Sequence, residues 1–527
     1  MRRCTICLIF AYCFLSTSLL GQQAITFRDQ IWGHLLVTTI DQATGLKVDA
    51  RCYLTDSAGH PWTPSGSITY VKPPEQDFIA LTHFEIALPP GTYTLRVVRG
   101  AEYRPYEVQI QIKAGEILRE RVELTRWISM NARGWYSGDL HNHRNWQQMP
   151  AILLSEDLNL ANTITNWIWG NRAISIQPSA GEQAIRRVDS THAYSIYDTE
   201  IERDGSGPGS IVLDALKKPI EFQGYGFWPP NTVFTGEAHN LGGWVDAEKI
   251  DWRDSAALVA LGQIDSAGLV YNSFNPYGVE LGGGNTAKFK PAFATPGGMM
   301  YWAMNVYYKL LNCGFRLPVS AGTASGVKPT PLGYSRVYVH ISGKFSYQEW
   351  FRELKAGHSF ATNGPMIFLT VNGHAVGDTI HFPSDAAKAA RQVRVHAEVD
   401  SLGDLDRLEI VWKGKVVKRI FASTNCHRLT ADFLFTVPGT GWFAARTLEK
   451  PTKTVQFAQT SPLYAEVGHD RGIVPDDARF FVQLMNREIE HYRNIQGFHS
   501  EADRQAMLDM YTRARAIYSG LASPDTR

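Results

Sequence analysis

Hydrophobic and polar positions alternate over short runs from about Gly33 to Leu124, as in "HLLVTTID", "DARCYLTD", "HFEIALPPGTYTLRVVRG", "YEVQIQIKAG" and "RERVELT". A period of two, broken by Gly, Pro and Asp, marks half-buried strands joined by tight turns. In "LPPGTYTLRVVRG" the Pro-Gly turn feeds a strand with Tyr93, Leu95 and Val97 on one face. A β-sandwich over 28–127 follows. After Trp127 the pattern changes: apolar strand-like runs ("SIVLDAL", "SRVYVHI") mix with helical spacing in "MPAILLSEDLNLA" and "GGMMYWAMNVYYKLLNCG". In the latter, Trp302, Val306, Leu310 and Leu311 form the stripe and Gly314 is placed to stop the helix. Strands alternating with helices predict an α/β barrel-like unit over 134–364.

Alternation returns beyond Pro365 in "MIFLTVNGHAVGDTIHF", "QVRVHAEVD" and "DRLEIVWKGKVVKRIF", a second β-sandwich over 365–470 in which "WKGK" is a hairpin turn. Two helices close the chain over 475–522, with Ser500 and Asp503 as a capping pair and Gly520 ending the second. The expected class is therefore multidomain α/β plus β: a central distorted α/β barrel between two β-sandwich domains, with C-terminal helices.

At the start, Arg2 and Arg3 precede an apolar run from Ile6 to Leu20, then Gly21 and polar Gln22-Gln23. That reads as a signal peptide over 1–22 and predicts a secreted or periplasmic protein with no membrane span after cleavage. Lys plus Arg (52) nearly balance Asp plus Glu (51), so neither nucleic acid nor an anionic membrane is indicated as partner. Cys4, Cys7 and Cys13 lie in the leader; Cys52, Cys313 and Cys426 are odd in number and widely spaced, and read as small buried hydrophobes rather than a disulfide framework. There is no dinucleotide fingerprint, phosphate loop or Cys-x-x-Cys, and "ELGGGNTAKFK" reads as a flexible loop.

Candidate chemistry centres on "GWYSGDLHNHR". On an extended segment His141 and His143 project to the same side, with Asp139 in register. Two neutral imidazoles make half a site for Zn, Mn or Fe, although two histidines on a solvated face have the same spacing. Of Glu156 and Asp157, adjacent on a helix, at most one faces inward. Asp246 and Glu248 in "GWVDAEK" suit outer-shell or general-acid work, or a salt bridge with Lys249. Asp265 in "GQIDSAG" sits at a strand end. His192, His340, His358 and His396 have no converging partner in sequence. Many tryptophans fall in the middle unit, where core packing explains most; Trp146 and Trp244 flank candidate ligands.

"GDLHNHR" followed by "MPAILLSEDLNLA" resembles the opening of the PHP (polymerase and histidinol phosphatase) superfamily of metallohydrolases. "GWVDAEK", "LGQIDSAGLVYNSF", "LPVSAGTASGVKPTPLGYSRVYVH" and "AGHSFATNGP" resemble its exported carbaryl-hydrolase-like (CehA/McbA-type) branch, over about 134–370. The stretch around "LPPGTYTLRVVRG" resembles a carboxypeptidase-regulatory-like sandwich. The resemblance implies metal ligation by His141 and His143, by Glu202 or Glu200 in "DTEIERDG" and by His239 in "GEAHNLGGW"; strand register adds Asp139 as ligand or orienter, and position adds Asp246 and Asp265 as the catalytic carboxylates. Two stations of the pattern are broken: "TNW" puts Trp167 where an imidazole stands, and "AGTASG" offers Thr323, Ala324 and Ser325 in place of Asp-x-His. One divalent ion is thus expected, acting through an activated water on an ester, amide, carbamate or phosphoester of a small-molecule or glycan-like substrate. The same losses point to an alternative, an inactive relative that binds carbohydrate or a surface polymer.

Overall fold

The computed structural model describes residues 32–170, 172–179, 181–203, 207–281 and 293–523. The expected signal peptide and most of the glycine-rich loop lie outside the described residues. The protein is a mixed α/β, strand-rich chain with seven α-helices among the described residues. None of them is long and apolar enough to cross a membrane.

The N-terminal part is two sheets. One orders His83–Leu88, Gly33–Asp41 and Ile117–Leu124; the other orders Phe78–Ala80, Ala50–Asp56, Gly91–Val98 and Tyr106–Ile112. The alternation read from sequence places Leu35, Val37, Cys52, Leu54, Tyr93, Leu95 and Val97 in one apolar cluster to which both sheets contribute. Cys52 and Cys313 are buried and Cys426 half-buried, all three free.

The central sheet begins at Trp135–Asn142, which pairs in parallel with Leu160–Trp169. That strand pairs with Ala193–Glu202, and the order continues through Ser210–Asp214, Trp244–Ala247, Ser266–Val270 and Val319–Ala321. Past Ala321 the chain meets the first strand again: Ala324 N donates to His141 O at 2.6 Å and His143 N to Ser325 O at 2.7 Å. Glu200, Val212, Asp246 and Ser266 are partners across successive strands, so they share one face. Glycine is required where this sheet is tightest. A Cβ at Gly138 would lie 2.4 Å from Trp350 of the helix Tyr347–Ala356, and one at Gly322 would lie 2.4 Å from the Cβ of His141.

The helix expected over "MPAILLSEDLNLA" is shorter than its pattern: it spans Met149–Ser155, Asp157 turns left-handed at φ 48°, and Leu160 already belongs to a buried strand. A short apolar run serves either element, and burial between two neighbouring strands decides it here. The helix Pro296–Asn312 follows its pattern, and Gly314 takes φ 88° beyond it.

The C-terminal strands include a sheet ordered His374–Ala375, Met366–Val371, Gln392–Asp400 and Arg428–Thr436, while Leu405–Trp412 pairs with Lys415–Phe421 and Gly441–Glu449. Lys413 and Gly414 join that hairpin with φ 46° and 81°, the twist-matched turn that "KG" predicts. The last helices, Pro475–Asn494 and Glu501–Ala522, pack together through the stacked rings of Tyr492 and Tyr511, 5.3 Å apart. Ser500 caps the second by accepting from Asp503 N at 3.1 Å. Gly520 does not end it; the helix runs to Ala522, anchored where Tyr518 Oη donates to Ala256 O at 2.7 Å.

Candidate metal centre

His141 lies one residue before the end of the first central strand, with its ring next to Glu200, and His143 follows in the same alternation. Nε2 of His141 lies 3.1 Å from Nε2 of His143, and Oε2 of Glu200 lies 3.3 Å from the first and 3.1 Å from the second. These three donors are the group among the described residues that can hold a metal ion. A tetrahedral ion with ligand bonds of about 2.0–2.1 Å sets neighbouring ligand atoms about 3.3–3.4 Å apart. The triangle therefore has nearly the dimensions of one face of such a set, and two imidazoles with one carboxylate suit Zn, Mn or Fe.

Further contacts hold these side chains. Oε1 of Glu200 accepts from Ser210 Oγ at 2.7 Å. Nδ1 of His141, on the far side of the ring, lies 3.4 Å from Oε1 of Glu248. A carboxylate behind a ligating imidazole fixes its tautomer and raises its basicity. Glu248 is itself held by Lys249, by Trp252 Nε1 at 2.7 Å and by Asn272 Nδ2 at 2.9 Å.

The electrostatics follow from burial against these contacts. Burial disfavours a charged His141, but Glu200 and Glu248 on either side raise its pKa to about 10. Burial holds His143 below the ordinary histidine value. Burial would raise Glu200, yet the two imidazoles bring it well below the carboxylate range. Burial likewise opposes ionisation of Glu248, and Lys249 and His141 outweigh it, bringing it to about 2. Without a cation, a proton on His141 together with the Lys249 ammonium offsets the charges of Glu200 and Glu248, and a divalent ion in the triangle would compete with that proton.

Of the expected site residues, His141, His143 and Glu200 come together. Glu202, the preferred carboxylate in sequence, is the next same-face residue, and its Oε2 accepts from Trp167 Nε1 at 3.1 Å. Burial, with Glu200 and Glu248 adding to it, raises its pKa to about 7.

His239 does not join the pair. It sits on the helix Thr232–Asn240 and meets Asp265 Oδ2 at 2.8 Å, where Asp265 also accepts from Val245 N. Val245 and Glu248 lie three residues apart along the chain, so His239 and Asp265 mark the end of that strand away from Glu248. Asp265, expected as a catalytic carboxylate, is paired with His239 at that strand end.

Asp139 is not among the three converging donors and meets the backbone of His141 rather than its ring. Fully buried, it accepts from His141 N, Thr323 N, Thr323 Oγ1 and Gly333 N at 2.5–3.1 Å, tying the first strand to the last. Asp246 is buried and spent on the hydroxyls of Ser266 and Ser320. Glu156 pairs with Arg51 and Asp157 with Arg99 and Arg126, all away from the centre. Trp244 is core, bonded to Ser266 Oγ, and Trp146 is half-buried beneath Arg186. Trp167 is the tryptophan at the centre, its ring 4.9 Å from that of His143.

No family model matches this sequence. No curated protein matches it either. Among solved structures, the Bacillus anthracis TIE protein is 19% identical over 20% of this chain and 18% of its own, with a TM-score of 0.15. GBS52, the minor pilin of Streptococcus agalactiae, is 16% identical over 19% of this chain and 45% of its own, with a TM-score of 0.16. Parabacteroides merdae β-glucuronidase is 10% identical over 81% of this chain and 61% of its own, with a TM-score of 0.15. Likeness of this extent assigns neither fold nor activity, and the centre stands on its own geometry.

Proposed function

We propose that this chain is an exported, metal-dependent hydrolase whose central sheet forms a distorted barrel of the PHP kind and whose centre is held by His141, His143 and Glu200. The observation that carries the reading is the donor triangle of 3.1, 3.1 and 3.3 Å, backed by Glu248 behind His141 and Ser210 behind Glu200. Three protein ligands leave a coordination position open, the arrangement of catalytic rather than structural sites. A divalent ion bound there makes water acidic enough to supply a nucleophile at neutral pH for an ester, amide, carbamate or phosphoester.

The chain's own residues do the rest. Glu248 keeps the His141 ring turned so that Nε2 faces the centre, and Ser210 keeps one Glu200 oxygen committed so that the other faces inward. Trp167 covers one side of His143 against solvent. Glu202, beside Glu200 on the same face, is the carboxyl available to pass a proton to the leaving group, a role suited to a group that titrates near neutrality. The exported character rests on the leader sequence alone.

The test is metal analysis of the purified chain together with hydrolysis of p-nitrophenyl acetate and p-nitrophenyl phosphate. Zn, Mn or Fe close to one per chain, lost with hydrolysis in the His141→Ala, His143→Ala double variant, supports the reading. A folded chain that takes up none of these ions and gains no thermal stability when they are added rejects it.

A further inference from the structure

The hairpin formed by Leu160–Trp169 and Arg172–Ser175 runs on past the candidate centre into solvent, and every residue of its second strand is exposed. It nevertheless carries large apolar side chains there: Trp169 is 53% exposed and Ile174 45%. Neighbouring apolar groups held in water beside a polar centre mark a surface that binds something.

Strand register fixes where this surface lies. Trp167 is the cross-strand partner of Glu200 on one side and of Ile174 on the other, and Trp169 is the partner of Glu202 and of Arg172. Partners in a ladder share a face, so two rows of side chains run across it. The row of Ile174, Trp167 and the candidate ligand Glu200 lies at the centre. The row of Arg172, Trp169 and Glu202 lies two residues further along the strand, about 6–7 Å away. The rings connect the rows: Trp167 lies against His143 with centroids 4.9 Å apart, and Trp169 stacks on Trp167 at 5.7 Å with 24° between their planes. Because one face of Trp169 rests on Trp167, its exposure belongs to the outer face and the edge.

Distance decides what the outer face can hold. A small ester seated on the donor triangle ends near Glu202 and does not reach it, whereas a substrate of several linked units does. An open indole between a carboxylate and a guanidinium offers an apolar plane with hydrogen-bonding groups on both sides. A sugar ring matches that arrangement, its C–H face on the indole and its hydroxyls toward the charged groups. We propose that the centre acts on an extended glycan, one ring of which lies on Trp169 between Arg172 and Glu202 while the bond to be hydrolysed lies at His141, His143 and Glu200. The reaction rests on the hydrolase reading; the platform rests on the hairpin alone.

Calorimetric titration of the full chain with xylotetraose, cellotetraose and mannotetraose, and with the monomer of each, tests the platform on ligands that have no ester or amide to lose. At least one tetramer should bind about tenfold or more tightly than its monomer. Trp169→Ala should lower that affinity about tenfold, and Trp169→Tyr, which restores a ring, about threefold or less. Absence of heat from all three tetramers at millimolar concentration, equal affinity for monomer and tetramer, undiminished binding by Trp169→Ala, or equally tight binding of tetra-alanine would each overturn the proposal. Acetate release from O-acetylated xylotetraose in the presence of Zn tests the reaction separately, with kcat/KM expected to exceed that for O-acetylated xylose about tenfold and the ratio to shrink in Trp169→Ala. Tetramer binding without any release of acetate would reject the hydrolase reading and leave the sugar platform standing.

Discussion

The indole of Trp167 lies against the imidazole of His143, ring centroids 4.9 Å apart, while its Nε1 donates to Glu202 at 3.1 Å. One side chain thus screens a candidate ligand and occupies a candidate proton carrier. The two functions separate by substitution. Trp167→Phe keeps a ring over His143 and removes the donor, and should cost about 1–2 kcal/mol in denaturant unfolding. Trp167→Ala removes the ring as well and should cost about 2–4 kcal/mol, less than a fully buried tryptophan because Trp167 is half-buried. Metal content should survive both. Its loss from Trp167→Phe would show that the indole, rather than Ser210 and Glu248, holds the ligands in place.

The division between ligands and bystanders is equally testable. Glu200→Gln removes a charge from the triangle and should weaken Zn binding at least about a hundredfold. Glu248→Gln acts one step further out and should weaken it about 10–100-fold. His239→Ala, whose ring meets Asp265 rather than the centre, should leave Zn affinity within about twofold, measured by competition with a chromophoric chelator. If His239→Ala matched Glu200→Gln, the assignment of three ligands would fail.

These contrasts show what the sequence could convey. The His-x-His pair and Glu200 were legible because strand alternation is local: residues two apart face the same way whatever the rest of the chain does. Choosing between Glu200 and Glu202 was not local, since it depends on the pairing that sets Glu200 opposite Trp167 and Val212. Glu248 could be read as an acid near the site and as a partner of Lys249, and it is both. Its place behind His141 depends on the register of Trp244–Ala247 against Ser266–Val270, which no short motif encodes. His239 was expected from the resemblance alone, and in the structure it lies in the last turn of the helix Thr232–Asn240, against Asp265. The β-rich flanks announced themselves by period two and by turns such as Lys413-Gly414. The short helix Met149–Ser155 did not, because its apolar positions continue into a buried strand.

Asp139 gives a prediction of a different kind. Its carboxylate satisfies four donors from both ends of the central sheet, with no exposure to solvent. Asp139→Ala strands those donors in the interior and should cost about 3–5 kcal/mol, among the larger single-site losses in the chain. Asp139→Asn keeps an acceptor and should cost less. Urea unfolding followed by circular dichroism compares them. A loss below about 1 kcal/mol for Asp139→Ala would mean that the contacts closing the sheet contribute little to its stability.

Asp254 links burial to pH. It is fully buried beside the helix Ser255–Ala260, with Oδ2 accepting from Asn231 Nδ2 at 2.7 Å and Oδ1 without a hydrogen-bond partner. Burial raises its pKa from the ordinary 3.8 to about 7. Below pH about 4 the carboxyl is protonated in both folded and unfolded chains and has no effect on the balance. Between about 4 and 7 the unfolded chain releases the proton while the folded one keeps it, so stability falls as pH rises; above 7 the loss is complete. The shift corresponds to a loss on the order of 4 kcal/mol. Asp254→Asn keeps an acceptor for Asn231 and cannot ionise, so relative to the natural chain it should gain stability between pH 4 and pH 8 by an amount of that order. Urea unfolding of both proteins at the two pH values measures the difference directly, and an equal gap at pH 4 and pH 8 would show that Asp254 ionises in the folded chain as readily as in water.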